Sequence, residues 1–185
     1  MEKRFLRREN FARLRTLTSE AKSSHSATIV KHLAGDPAFL KARTVFSYAA
    51  MRSEPDLDAL RSSFPEKIWG LSRVADDGAS LHFHEVAPGQ ELATSEYGFP
   101  EPDPDNSPIL SNPDLILVPG VGFDPQSMNR LGRGKGHYDR YLAPLMKSGM
   151  PPALVGVCFS IQLVSLAPES HDVPMTKLVT ENGFL

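Results

Sequence analysis

LILVPGVGFDPQSMNRLGRGKGHYDRYL, Leu115 to Leu142, joins a continuous apolar run to a basic, glycine-rich stretch and then to a helical pattern. Leu115 to Gly120 reads as a buried strand. Gly132, Gly134 and Gly136 alternate with Arg133 and Lys135. Each Gly costs a helix roughly 1 kcal/mol relative to Ala, so this spacing predicts a loop. Amides with no Cβ beside them can close around phosphate oxygens, and Arg130, Arg133 and Lys135 supply charge and donors suited to oxyanions. Tyr138, Tyr141, Leu142 and Leu145 then fall at helical spacing, which predicts a helix from near His137 with its positive end facing the loop. Asp139, about 100° round from Tyr138 in the first turn, is free to meet a metal ion on the phosphates. The plain alternative is a solvated turn whose Asp only complements the helix dipole. The stretch is not a Walker A loop, because GxxxxGK[ST] is absent, nor a dinucleotide fingerprint, because His137 stands where GxGxxG needs its last Gly.

Outward from this centre, strands and helices alternate. ALVGVCFS (Ala153 to Ser160) reads as a second buried strand and KLVTE (Lys177 to Glu181) as a short final one. Upstream, a helix is predicted over Ser19 to Ala34, stopped by Gly35 and Pro37, and TVFSYA (Thr44 to Ala49) reads as a strand. At its exit, Ser53 or Glu54 is placed to cap a helix with Pro55 at its first position and Leu57 and Leu60 on its inner face. Glu54 then lies outside the carboxyl end of a strand, the edge where open α/β sheets bind ligands. KIWGLSRV and SLHFHEV are two more strands across the turn Asp76, Asp77, Gly78. His82 and His84 share a face, but nothing nearby completes a metal site, and Trp69 reads as core. Ala87 to Asn112 is the longest irregular segment, of the kind that forms lids and binding loops. Its aromatics Tyr97 and Phe99 can stack on a flat ligand or pin the loop. This alternation predicts an α/β fold: one three-layer domain over residues 1–185, with a mostly parallel sheet flanked by helices.

Composition bounds the function. A chain of 185 residues with a formal charge of −2 has no basic excess of the kind a general nucleic-acid binder carries. No apolar run approaches the ~18 residues needed to span a bilayer. The lone Cys158, inside an apolar run, excludes an intramolecular disulfide, reads as core, and fits a reduced, cytoplasmic setting. The first seventeen residues carry six Lys and Arg against two Glu, which raises a targeting peptide; Phe5, Leu6, Leu14 and Leu17 instead make a stripe that suits a first helix. Lys3 and Arg7 share one face of it.

RLGRGKGxYD after a strand ending in VPG, with KRFLR at Lys3 to Arg7 and HDVP at His171 to Pro174 in the same order, resembles the 5-formyltetrahydrofolate cyclo-ligase family over nearly the whole chain. The resemblance implies ATP-dependent cyclisation of 5-formyltetrahydrofolate to 5,10-methenyltetrahydrofolate, with release of ADP and phosphate through phosphorylation of the formyl oxygen. It implies that Lys3, Arg7, Arg130, Gly132, Arg133, Gly134, Lys135 and Gly136 bind ATP, with Arg133 and Lys135 catalytic. Asp139 and Asp172 would hold Mg²⁺, although for Asp172 alone helix capping is the stronger reading. Met51, Glu54, Tyr97, His137 and Tyr138 fall on the folate side, where Tyr138 is also placed simply to pack. The partners implied are a reduced folate and ATP, with no nucleic acid and no membrane, acting on a monomer. Three departures stand out: Met128 where the family commonly has Gly, in a connection one residue longer; His137 for a common aromatic; and Thr176 for a common acidic residue. The rival readings are a kinase or ligase for another small acid, a folate or nucleotide sensor, and an RNA-binding protein using its basic first helix.

Overall fold

The computed structural model describes residues 2–95, 98–167, 169 and 171–185. Its centre is five parallel strands: β1 (Thr44–Ser47), β2 (Ile68–Val74), β7 (Leu115–Pro119), β10 (Ala153–Val157) and β11 (Lys177–Thr180). Numbered among themselves in chain order, they lie as 2-1-3-4-5, the doubly wound arrangement whose winding direction reverses between β1 and β7. Antiparallel strands extend both edges: β3 (Leu81–Glu85) and β6 (Ile109–Leu110) beyond β2, and β12 (Gly183–Phe184) beyond β11. The sheet thus has eight strands among the described residues. Two small ribbons stand apart from it, β4 (Ala93–Thr94) with β5 (Pro100–Glu101), and β8 (Gly122–Phe123) with β9 (Arg130–Leu131). The α/β expectation of a mostly parallel sheet between helices therefore holds, and the segment read as irregular contributes three short strands.

Side-chain alternation divides the core. Leu115 and Leu117 face one layer with Val45, Trp69, Val155 and Val179, whereas Ile116 and Val118 face the other with Phe46, Leu154 and Leu178. The first face is covered by α1 (Lys3–Leu14), α2 (Ser19–Ala34), α3 (Pro37–Lys41) and α4 (Asp58–Ser63) through Leu14, Ile29, Leu33, Phe39 and Leu60. α5 (His137–Leu145) covers the second with Leu142. Cys158 is fully buried there, and burial pushes its thiol pKa well up, in keeping with a core role. Among the described residues no helix is long and apolar enough to cross a membrane.

Two boundaries differ from expectation. Pro37 does not only stop a helix: Asp36 accepts the Phe39 amide at 3.0 Å and caps α3, with Pro37 in its first turn. Pro55 does not start α4, which begins at Asp58. The Tyr48 hydroxyl donates to the Pro55 carbonyl at 2.9 Å and the Asp56 amide donates to Ser26 Oγ at 3.1 Å, and these bonds hold residues 55 and 56 in a non-helical connection. Neither Ser53 nor Glu54 caps the helix, and both side chains are left for other partners.

Gly156 lies where the second layer closes on the sheet; a Cβ there would come within 2.6 Å of Leu178 Cδ2 and of Phe123 Cε1. Gly156→Ala is expected to destabilise the fold by about 1–3 kcal/mol through overpacking. Urea denaturation measures this; a loss near zero would mean that the strands separate more easily than their packing implies.

Candidate active site

The carboxyl ends of β1 and β7 meet where the strand order reverses, and the chain leaves β7 through a corner at Gly120 and Val121. Carbonyls there would be orphaned without side-chain donors. Asn10 Nδ2 donates to Val121 O and Gln162 O, both at 3.1 Å, and Gln162 Nε2 donates to Gly120 O at 2.9 Å and Val121 O at 3.1 Å. Gly122 lacks the Cβ that would meet Asn10 Nδ2 at 2.5 Å. Asn10 therefore fastens α1 to the corner, and Lys3 and Arg7 follow on the same helical face. Arg7 Nε donates to Gly132 O at 2.7 Å, and Lys3 Nζ reaches both carboxylate oxygens of Asp172 at 3.1 and 3.0 Å. KRFLR and RLGRGKG, far apart in sequence, are thereby brought together.

The glycine loop is held from three sides. Gly134 and Gly136 take φ of +99° and +69°, values that favour glycine, and Gly136 precedes α5 directly. Beneath the loop, the Arg130 guanidinium lies 2.9 Å from where a Cβ on Gly132 would sit. Arg130 Nη2 donates to both oxygens of Asp139 at 3.2 and 3.1 Å, and the guanidinium stacks 5.0 Å from the centre of the Tyr138 ring. Arg130 is buried and its Nε has no partner among the described residues. On the far side, Arg140 donates to Lys135 O at 2.8 Å and Ala79 O at 2.9 Å, while His137 Nε2 lies 3.2 Å from Gly78 O. The β2–β3 turn is thus docked against the loop. Arg133 turns the other way, and its Nη2 donates to Ser53 Oγ at 3.0 Å and Glu54 Oε1 at 3.2 Å. The Lys135 side chain is exposed.

Glu54 is a bridge rather than a cap. Its side chain is only 8% exposed; Oε2 accepts the Met51 amide at 3.0 Å and Oε1 takes Arg133. Beside this pair opens a cleft of about 770 Å³ with Phe11, Leu14, Met51, Phe99 and Arg133 in its lining. Arg133 also lies 5.5 Å from the centre of the Phe11 ring. A second cleft of about 270 Å³ adjoins it at Ala50 and Pro100 and is lined by Tyr48, Asp56, Trp69 and Leu92, among others. Of the residues expected on the folate side, Met51 and Glu54 belong to this region. His137 and Tyr138 line neither cleft; Tyr138 packs edge-on against Phe83, donates to Ser72 Oγ at 3.3 Å, and burial pushes its phenol pKa well up. Tyr97 lies outside the described residues.

Asp139 and Asp172 have donor chemistry that suits a hard cation, yet each is held by a basic side chain, Arg130 and Lys3 respectively. Burial raises the Asp172 pKa, but the Glu169 amide and the Lys3 ammonium outweigh it and hold the carboxyl below its ordinary value. The group of possible metal-ligating atoms found among the described residues is Glu169, His171 and Asp172, without Asp139. Lys3 Nζ already lies 3.3 Å from Glu169 and 3.0 Å from Asp172.

The sequence departures acquire structural reasons. Met128 holds φ +58°, a conformation in which Gly is at ease, and its carbonyl accepts the Met175 amide at 2.8 Å. Thr176 Oγ1 accepts the Leu154 amide at 2.9 Å and so serves the start of β10. Asn10, Gln162, Ser53 and Arg140 are site residues that the sequence reading missed. Asn10 alone carried a signal, as a polar residue one helical step beyond Lys3 and Arg7.

The chain as a whole resembles known proteins. Residues 1–181 match the model of the 5-formyltetrahydrofolate cyclo-ligase family. The 5-formyltetrahydrofolate cyclo-ligase of Saccharomyces cerevisiae is 40% identical over 89 residues, covering 46% of this chain and 41% of that protein. The Mycolicibacterium smegmatis enzyme of the same name is 34% identical over 150 residues, covering 76% of this chain and 75% of its own. The solved structure of Aquifex aeolicus 5,10-methenyltetrahydrofolate synthetase superposes with a TM-score of 0.83 at 30% identity, covering 100% of this chain and 92% of that one.

Arg140→Gln should release the loop from the β2–β3 turn. Amide exchange at residues 133–136 and at Gly78 is expected to quicken about tenfold, the equivalent of about 1.4 kcal/mol of local stability. Unchanged exchange would show that the glycines hold their conformation without the clamp.

Proposed function

The chain belongs to the 5-formyltetrahydrofolate cyclo-ligase family, a family of ligases, and on that footing we propose that it converts 5-formyltetrahydrofolate and ATP to 5,10-methenyltetrahydrofolate, ADP and phosphate. The observation that carries this reading is Arg133, a member of the glycine loop whose guanidinium reaches across the strand-order reversal to Glu54. A phosphate-binding loop and an acceptor cleft share that one side chain.

The formyl oxygen is a poor leaving group. Transfer of the terminal phosphoryl of ATP to that oxygen breaks the bond to ADP and forms an imidate-like phosphate. The neighbouring nitrogen then attacks the formyl carbon and gives up its proton, and the carbon–oxygen bond breaks to release inorganic phosphate. Such transfer depends on positioning and charge neutralisation, so a protein nucleophile is not required. The amides of Gly132, Gly134 and Gly136 and the side chains of Lys3, Arg7 and Lys135 bind the phosphates. Arg130, held under Gly132, adds positive charge from below. Arg133 and Lys135 follow charge onto the moving phosphoryl group, and Glu54 orients the pterin end beside Met51. Asp139 and Asp172 would hold Mg²⁺, which suits them by donor type, beside the basic partners Arg130 and Lys3 that hold them here. The bound ion would neutralise phosphate charge. Tyr138 acts as packing for α5 and as the platform under Arg130.

The test mixes purified protein, Mg²⁺, ATP and 5-formyltetrahydrofolate and follows the near-ultraviolet absorbance of the methenyl product together with phosphate release. Both signals are expected only when both substrates are present; ATP binding with neither signal would point to another acceptor acid or to a sensor. Asp139→Asn is expected to lower turnover about a hundredfold or more while the far-ultraviolet spectrum stays folded. Wild-type turnover in that variant would remove Asp139 from the metal assignment. Glu54→Gln should weaken folate binding about tenfold, a loss typical of one charged hydrogen bond, and move ATP affinity less. Calorimetric titration of each ligand separates the two, and an unchanged folate affinity would leave Glu54 as a partner of Arg133 only.

A further inference from the structure

Glu181 directly follows β11 and lines neither of the two clefts, yet its side chain is only 11% exposed. A carboxylate taken that far out of water needs partners. Among the described residues no Lys or Arg pairs with it. Its donors come from the start of a single 3-10 turn, Ser160–Gln162: the Ser160 amide donates to Oε2 at 2.8 Å and the Ser160 hydroxyl to Oε1 at 2.6 Å. Helix α2 adds His25, whose Nδ1 lies 3.5 Å from Oε1, and His32, whose Nε2 lies 3.3 Å from the Glu181 carbonyl oxygen.

A lone 3-10 turn has little stability of its own, and its first amides find no partner within it. Here side chains meet both, Glu181 at the Ser160 amide and Gln162 Oε1 at the preceding Phe159 amide, 2.8 Å away. The Gln162 side chain is thereby committed at both ends, because its Nε2 is the group that donates to Gly120 O and Val121 O. Its backbone carbonyl accepts Asn10 Nδ2. Bonds run in sequence from Glu181 through Ser160 and Gln162 to the corner after β7 and to α1, which carries Lys3 and Arg7. Gln162 is 1% exposed and Asn10 fully buried, so neither can replace a lost partner with water.

We propose that Glu181 is a positioning residue for the ATP half of the site: it holds the turn that sets Gln162, and through Gln162 and Asn10 it fixes where Lys3 and Arg7 meet the phosphates. The inference rests on the ATP reading above. Met51 and Glu54 come from the exit of β1 and are held by one another and by Arg133, so loosening the turn acts on ATP more than on the folate.

The test is calorimetric titration of the full chain with ATP and Mg²⁺, and separately with 5-formyltetrahydrofolate, in the wild type and in Glu181→Gln. That substitution keeps the volume but turns an N–H₂ group toward one of two donors that need an acceptor. ATP affinity is expected to fall about tenfold, a loss typical of one charged hydrogen bond, with folate affinity little changed. Ser160→Ala removes the hydroxyl and keeps the amide; it should lower ATP affinity by a smaller factor, and it decides the matter should Glu181→Gln not fold. Ile29→Val, a core change in α2 that touches none of these bonds, should lower the urea midpoint and leave ATP affinity at the wild-type value. Combining Glu181→Gln with Asn10→Leu should cost little more affinity than the larger single loss, because the two residues act along one chain of bonds. Wild-type ATP affinity in Glu181→Gln and Ser160→Ala, equal losses for ATP and folate, a matching loss in Ile29→Val, or losses that add in the double variant would overturn the positioning role. ATP binding without methenyl product would overturn the proposed reaction alone, since the ATP affinities would still decide the role of Glu181; a wild type that binds no ATP would overturn both.

Discussion

The place of the first helix at the site hangs on a side-chain amide buried within it. Asn10 is fully inaccessible, and its Nδ2 group is shared between the carbonyls of Val121 and Gln162. A buried amide without partners would cost on the order of 1–3 kcal/mol, so the two acceptors fix where this turn of α1 can lie. That position in turn sets Arg7 against Gly132 and Lys3 against Asp172. A basic amphipathic helix has many ways to lie on an apolar surface. One with a polar lock has one register.

The sheet supplies the second constraint. Reversal of strand order between β1 and β7 leaves a gap at their carboxyl ends, because the connections leaving them pass to opposite faces of the sheet. α4 follows β1 on one face and α5 follows β7 on the other. Met51 to Glu54 and the glycine loop therefore face each other across the gap. The site joins groups from α1, the β1 exit, the β7 exit and the region around Asp172, and no single segment carries it.

Much of this was legible in the chain because the cues were local. Alternating apolar runs marked the parallel strands, glycine spacing marked the loop, and Tyr138, Tyr141, Leu142 and Leu145 marked α5. What local cues do not encode is competition between partners. Glu54 has the position of a helix cap, but the Tyr48 hydroxyl and Ser26 fix the following residues outside the helix and the carboxylate goes to Met51 and Arg133. Arg130 has the look of an exposed phosphate ligand, yet Asp139 and the Tyr138 ring hold it beneath the loop. Arg140 follows the motif directly and reads as an ordinary solvated position; its value lies in a turn some sixty residues away in the chain. Asn10 and Gln162 matter only once β7 has its corner.

Arg133 has a consequence of its own. It holds a nearly buried carboxylate on one side and belongs to the glycine-rich loop on the other. On the proposed function, an anion settling in the loop would compete with Glu54 for the same guanidinium, and Glu54, still fastened to the Met51 amide, would be free for N–H donors entering the cleft. Thermodynamic linkage makes this exchange reciprocal: whatever factor one occupant contributes to the affinity of the other is returned in equal measure. On the proposed function, the two halves of the site are coupled through a single arginine, the one that bonds Ser53 and Glu54 from the glycine loop.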